Sequence, residues 1–78
     1  MKLELYYKPE CPFCKKVIQF MERRDIKLEM KNIHEKENLD KLIEVGGMNQ
    51  VPCLFIDGKA IYESDDIIQF LKDNADDK

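Results

Sequence analysis

Leu3-Glu4-Leu5-Tyr6-Tyr7-Lys8-Pro9-Glu10-Cys11-Pro12-Phe13-Cys14 holds both the start of the fold and its chemistry. Lys2 to Tyr7 alternates, with Leu3, Leu5 and Tyr7 on one face and Lys2, Glu4 and Tyr6 on the other, the pattern of a strand with one buried side. Lys8-Pro9-Glu10 ends it. Pro12 suits the first position of a helix, where its missing N–H is not required. From there to about Arg24 the apolar Phe13, Val17 and Met21 recur every four residues, joined by Ile18 and Phe20. Lys15, Lys16, Gln19, Glu22 and Arg23 are left to face water. Two sulfurs therefore stand where a strand gives way to a helix. In such a place exposed N–H groups and the positive end of the helix dipole favour the thiolate, lowering an ordinary thiol pKa of about 8.5 by one to several units. Cys11 is the candidate nucleophile. Cys14, nearly one turn later, is near enough to close a small ring with it and is the candidate resolver.

Ile26, Leu28 and Met30 alternate again, giving strand, helix and strand within one βαβ unit whose strands are expected to be parallel. Glu35 to Val45 carries Leu39, Leu42 and Ile43 at helical spacing, and Gly46-Gly47 supplies the positive φ that often ends a helix. Val51 to Ile56 and Lys59 to Tyr62 are β-rich runs joined by Asp57-Gly58, a signal for a tight antiparallel hairpin. Ser64 is placed to cap a last helix with Asp65 and Asp66 in its first turn and Ile67, Ile68 and Leu71 as its buried stripe, before a polar tail from Asp73. The order is βαβ-α-ββ-α: an α/β chain with a four-stranded mixed sheet flanked by three helices. One domain over residues 1–78 is expected from the length.

The charge disfavours nucleic acid as a partner: 13 basic and 16 acidic residues leave a net charge of -3, with no basic block. No apolar run approaches the roughly 20 residues of a membrane span, and the start does not read as a signal peptide, so a cytoplasmic protein is expected. Three cysteines cannot pair without a remainder, which suits catalysis better than stapling in a reducing compartment. Half of a zinc site is the bland reading of Cys11 and Cys14, but the remaining ligand types, Cys53 and His34, are not in a paired spacing, so no metal is expected. Nor is there a phosphate-binding glycine loop.

The element order, with Cys-Pro-Phe-Cys opening the first helix, resembles the thioredoxin fold. Lys8 three residues before Cys11, Gly46-Gly47 followed by Val51-Pro52, and Asp65-Asp66 opening the last helix resemble the glutaredoxin family in particular. The resemblance implies a glutathione-dependent thiol–disulfide oxidoreductase that reduces protein disulfides or glutathione mixed disulfides. It takes glutathione as cosubstrate, holds no cofactor permanently, and is expected to act as a monomer on disulfide-containing proteins. By the same resemblance, Lys8 would stabilise the thiolate and an anionic ligand, and Phe13 would lie along glutathione. Val51 would pair its backbone with the cysteinyl backbone, and Pro52 would be cis and face the sulfurs. Ser64 and Asp65 would hold the γ-glutamyl end.

Two stretches depart from the family. Met48-Asn49-Gln50 precedes Val51-Pro52 where many glutaredoxins have a threonine with a basic or amide residue just ahead of it, so Gln50 and Asn49 would donate to a carboxylate without a fixed charge. Tyr62-Glu63 stands in place of Gly-Gly, and Tyr62-Glu63-Ser64 resembles the N-terminal domain of glutathione transferases. Two alternatives of the same fold therefore stay open: a redoxin reduced by thioredoxin reductase, and a glutathione or iron–sulfur binding module. Cys53 reads as a small buried hydrophobe in preference to a third redox thiol, His34 as a surface residue without a carboxylate partner, and Lys15 and Lys16 as solvated surface or, alternatively, as cations that attract anionic thiols. Tyr6 and Tyr7 read as packing residues, and Asp66 as a capping charge.

Overall fold

β1 (Leu3–Tyr7) occupies an interior position in a four-stranded sheet, and that position decides what it buries. The structure, a computed structural model, describes residues 2–74. After β1 come α1 (Pro12–Arg23), β2 (Glu29–Asn32), α2 (Lys36–Lys41) running on into a π-helical turn (Leu42–Gly46), β3 (Cys53–Ile56), β4 (Lys59–Ile61) and α3 (Ser64–Asn74). The sheet order is β2-β1-β3-β4. β1 pairs parallel with β2 and antiparallel with β3, and β4 closes antiparallel on β3. This is the expected mixed α/β architecture.

Each face of the sheet has its own core. On one, Leu5 and Leu54 meet Val17 and Met21 of α1 and Ile67 and Leu71 of α3. On the other, Tyr6, Cys53 and Phe55 pack with Leu42 of the π-helical turn, and the Tyr6 and Phe55 rings lie 4.7 Å apart at a 40° tilt. Tyr6, which the alternation grouped with Lys2 and Glu4 on the face opposite Leu5, is a packing residue of this second core and only 2% exposed. A strand with a parallel neighbour and helices above and below is buried on both faces, so alternation along it does not separate inside from outside.

The second strand also begins later than its alternation suggested. α1 ends with Asp25 in the left-handed region (φ 54°), and the Ile26 N–H returns to the Met21 carbonyl at 2.9 Å. Ile26 thus turns back into the core below the helix, while Met30 in the edge strand is exposed. β3 starts at Cys53, which leaves Pro52 just ahead of the strand, where its missing N–H breaks no ladder.

The local turn signals act where they stand. Asp57 (φ 50°) and Gly58 (φ 93°) both take the left-handed conformation of a two-residue hairpin turn. The turn is tied to the start of β1 by Asp57 N–H donating to the Lys2 carbonyl at 3.0 Å and by Lys2 N–H donating to Asp57 Oδ1 at 2.8 Å. Gly47 (φ 85°) ends the π-helical turn, its N–H returning to the Ile43 carbonyl at 2.9 Å. Gly46 has another reason to be glycine: a Cβ there would overlap the Tyr62 hydroxyl. In α3, Ser64 is the first helical residue and not the residue before it; the Ile67 N–H bonds the Glu63 carbonyl at 2.9 Å. Asp73 and Asn74 belong to this helix, and the remainder of the expected tail, residues 75–78, lies outside the described residues.

Candidate functional site

Pro12 at the first position of α1 makes Cys11 the N-cap residue, with extended backbone (φ −79°, ψ 120°). The Cys11 N–H donates to the Lys8 carbonyl at 3.2 Å, and its own carbonyl accepts from Lys15 N–H at 3.0 Å. Its sulfur does what a capping oxygen does elsewhere, accepting the Cys14 N–H at 3.3 Å. One of the free donors of the helix start is thus aimed at this sulfur.

The two sulfurs differ in access. Cys11 is 7% exposed and Cys14 is 0% exposed. Burial pushes the Cys14 thiol up to about 12, the contact with the Cys11 sulfur adds to this, and the Lys8 backbone N–H, with a smaller part from the Lys8 charge, offsets some of it. Cys14 is held as a neutral thiol behind its partner. Opposite them the Val51–Pro52 peptide bond is cis, Pro52 is buried, and the Val51 carbonyl lies 3.9 Å from Cys11 Sγ as its acceptor.

Beside this pair runs an open groove of about 320 Å³. Phe13 and Lys16 of α1 form one wall, Gln50, Val51 and Pro52 the floor, and the chain from Tyr62 to Asp65 the other wall. Phe13 is 62% exposed, which leaves its ring open to whatever enters. The walls touch where Lys16 Nζ donates to Asp65 Oδ1 at 2.7 Å.

Phe13, Gln50, Val51, Pro52, Ser64 and Asp65, all singled out from the sequence, therefore line one groove. Lys8 does not line it; it contributes its carbonyl to the Cys11 N–H, and its backbone, more than its charge, acts on Cys14. Lys16, read from the sequence as surface, and Tyr62 and Glu63, read as a departure toward the transferases, were given no site role there, yet all three line the groove. Lys16 was legible in one respect only, lying three residues after Phe13 and so on the same helix face.

Residues outside the groove fall as follows. Cys53 is 0% exposed in the core, where burial pushes its thiol up to about 12. His34 corrects the expectation of a surface residue lacking a carboxylate: its Nε2 lies 2.8 Å from Glu10 Oε1, with both side chains exposed. That hydrogen bond is the main reason the Glu10 carboxyl is held below the usual carboxylate range. Among the described residues, no group of three or more His, Cys, Asp or Glu side chains gathers to hold a metal, and no helix is long and apolar enough to cross a membrane.

A family model described as "Glutathione S-transferase, N-terminal domain" matches residues 5–78. A probable glutaredoxin of Acanthamoeba polyphaga mimivirus is 30% identical over 79 residues, which span 86% of this chain and 74% of the relative. The chain belongs to this transferase-domain family, and its place is with the glutaredoxins. Glutaredoxin 1 of Rickettsia typhi is 27% identical to this glutaredoxin-family chain, over 95% of it and 74% of the relative. The solved structure of glutathione transferase Omega 3C from Trametes versicolor superposes with a TM-score of 0.80 at 25% identity, covering 94% of this chain. The chain spans only 33% of that transferase, so the likeness concerns one part of it. Family membership puts the chain among thiol-redox and glutathione-related proteins with a thioredoxin-like fold.

Proposed function

We propose that this chain is a single glutaredoxin-like domain over residues 1–78 that works in the cytoplasm as a monomeric, glutathione-dependent thiol–disulfide oxidoreductase on protein disulfides and glutathione mixed disulfides. The observation that carries the reading is the asymmetry of the two sulfurs. Cys11 caps a helix and accepts an N–H, while Cys14 sits behind it with its proton held.

In the proposed cycle the Cys11 thiolate attacks one sulfur of a substrate disulfide. The substrate S–S bond breaks, and the departing thiolate takes a proton from water. A mixed disulfide then joins Cys11 to the other half of the substrate. Cys14 attacks the Cys11 sulfur, its proton passing to the second departing thiolate, which leaves Cys11 and Cys14 joined and the substrate reduced by two electrons. Two glutathione thiols restore the dithiol and leave as glutathione disulfide. When the substrate is a glutathione mixed disulfide, a second glutathione releases Cys11 directly. Burial suits Cys14 to this order, because a neutral buried thiol does not compete for the incoming disulfide.

Glutathione would enter the groove with its cysteinyl backbone along Val51, its γ-glutamyl end toward Ser64 and Asp65, and its glycyl carboxylate near Gln50. Phe13 would cover it, and Lys8 would draw the anion toward Cys11. The decisive experiment is intact mass and peptide mapping of Cys14→Ser after treatment with glutathione disulfide. One glutathione trapped on Cys11 is the expected result; an adduct on Cys53, or none, rejects the assignment.

The neutral Gln50 in the groove favours a second reading, a redoxin fed by thioredoxin reductase. Disulfide reduction supported by thioredoxin reductase, and not by glutathione with its reductase, would select it.

A further inference from the structure

We infer that Lys16 determines specificity in the groove, binding the α-carboxylate of a zwitterionic γ-glutamyl ligand while Asp65 binds its ammonium. The inference rests on the glutathione reading above and assigns a residue which that reading leaves unused.

The ion pair lies across the groove and not along one helix: Lys16 comes from α1 and Asp65 from α3, and both line the same cavity. Neither charge is used up by the contact. Lys16 Nζ carries three donors and places one on Asp65 Oδ1; Asp65 keeps its second oxygen, and the side chains are 53% and 82% exposed. An exposed pair of this kind contributes little to holding a fold together.

Lys16 is the fifth residue of α1, just past the first turn, so the helix itself gains nothing from a cation there.

A lysine ammonium beside an aspartate carboxylate is the mirror of an α-amino acid end, which carries an ammonium beside a carboxylate. Docked head to tail, the four charges alternate in a ring, and each has opposite neighbours without the protein pair having to break. A ligand lacking either charge leaves one protein charge with a solvated face and gains half as much. Lys16 and Phe13 line the groove together with Val51, whose carbonyl lies 3.9 Å from Cys11 Sγ, so one groove leads from beside the reactive sulfur to the ion pair.

Calorimetric titration of the reduced full chain with S-methylglutathione, which cannot enter exchange, tests this directly. The comparison ligand has γ-aminobutyrate in place of the γ-glutamyl group, so it keeps the ammonium and lacks the α-carboxylate. Lys16→Gln is expected to weaken S-methylglutathione about fivefold and to leave the comparison ligand unchanged. Lys16→Arg is expected to stay within about twofold of wild type for both. Thermal unfolding of each variant is run alongside to establish that it is folded. Unchanged or tighter S-methylglutathione binding by Lys16→Gln would overturn the inference, since it would make Lys16 a competitor for Asp65; so would equal loss of both ligands. Wild type that binds neither ligand would instead bring down the glutathione reading itself, and this inference with it.

Discussion

The start of α1 and the start of β3 each bury a cysteine with little or no exposure, yet the two places give sulfur opposite characters. At the first, Cys11 caps a helix, accepts the Cys14 N–H at 3.3 Å and keeps 7% of its surface. At the second, Cys53 is sealed against Tyr6, Phe55 and Leu42 with its thiol pushed up to about 12. Cys14 is instructive because it combines the two: it belongs to the reactive motif but shares the burial and the raised pKa of Cys53. The neighbours supplied by the fold, and not membership of a Cys-x-x-Cys motif, set what each sulfur can do.

The comparison breaks most visibly through activity. Cys11→Ser is expected to reduce disulfide exchange to the uncatalysed background, while Cys53→Ala keeps turnover near that of wild type. Coupled assays with glutathione and its reductase measure both, and loss of turnover in Cys53→Ala would erase the distinction drawn here.

A second effect is alkaline destabilisation. Cys14 and Cys53 have folded-state pKa values raised to about 12, so each favours the folded chain fully below the unfolded thiol pKa and loses that contribution as pH rises from there toward 12. Tyr6 and Tyr62, also raised mainly by burial, act in the same direction above pH 10. Urea unfolding is expected to give midpoints that fall steadily from pH 8.5 to 11. Cys53→Ala should fall less steeply than wild type; an equal slope would mean that Cys53 ionises as freely in the folded chain as in the unfolded one.

The smallest expected effect is the packing loss in Cys53→Ala at pH 7. Removing one buried sulfur leaves a small cavity and is expected to cost about 1 kcal/mol, read as a lower urea midpoint at unchanged slope. A cost several times larger would mean that Cys53 organises the α2-side core and does not merely fill it.

Much of the fold was legible because its signals are local. The Asp57-Gly58 hairpin, Gly47 ending the π-helical turn and Pro12 opening α1 each follow from backbone preferences of the residues themselves. The burial of Tyr6 was not legible in the alternation, since it depends on α2 covering a face that the strand's own pattern marks as polar. His34 acquired its carboxylate partner from a residue 24 positions earlier, and Lys16 its partner from one 49 positions later. No spacing rule links such residues.

The sequence by itself determined the order of elements, the turns and the sulfur at a helix N-cap, because these depend on periodicity, on allowed φ angles and on which backbone groups a helix start leaves unpaired. Only the tertiary structure decided that Cys14 and Cys53 are held protonated, that six candidate residues share one groove, and that Lys16 meets Asp65 across it. Desolvation and charge pairing depend on what lies opposite in space, and in a sheet ordered β2-β1-β3-β4 that neighbour comes from a distant part of the chain.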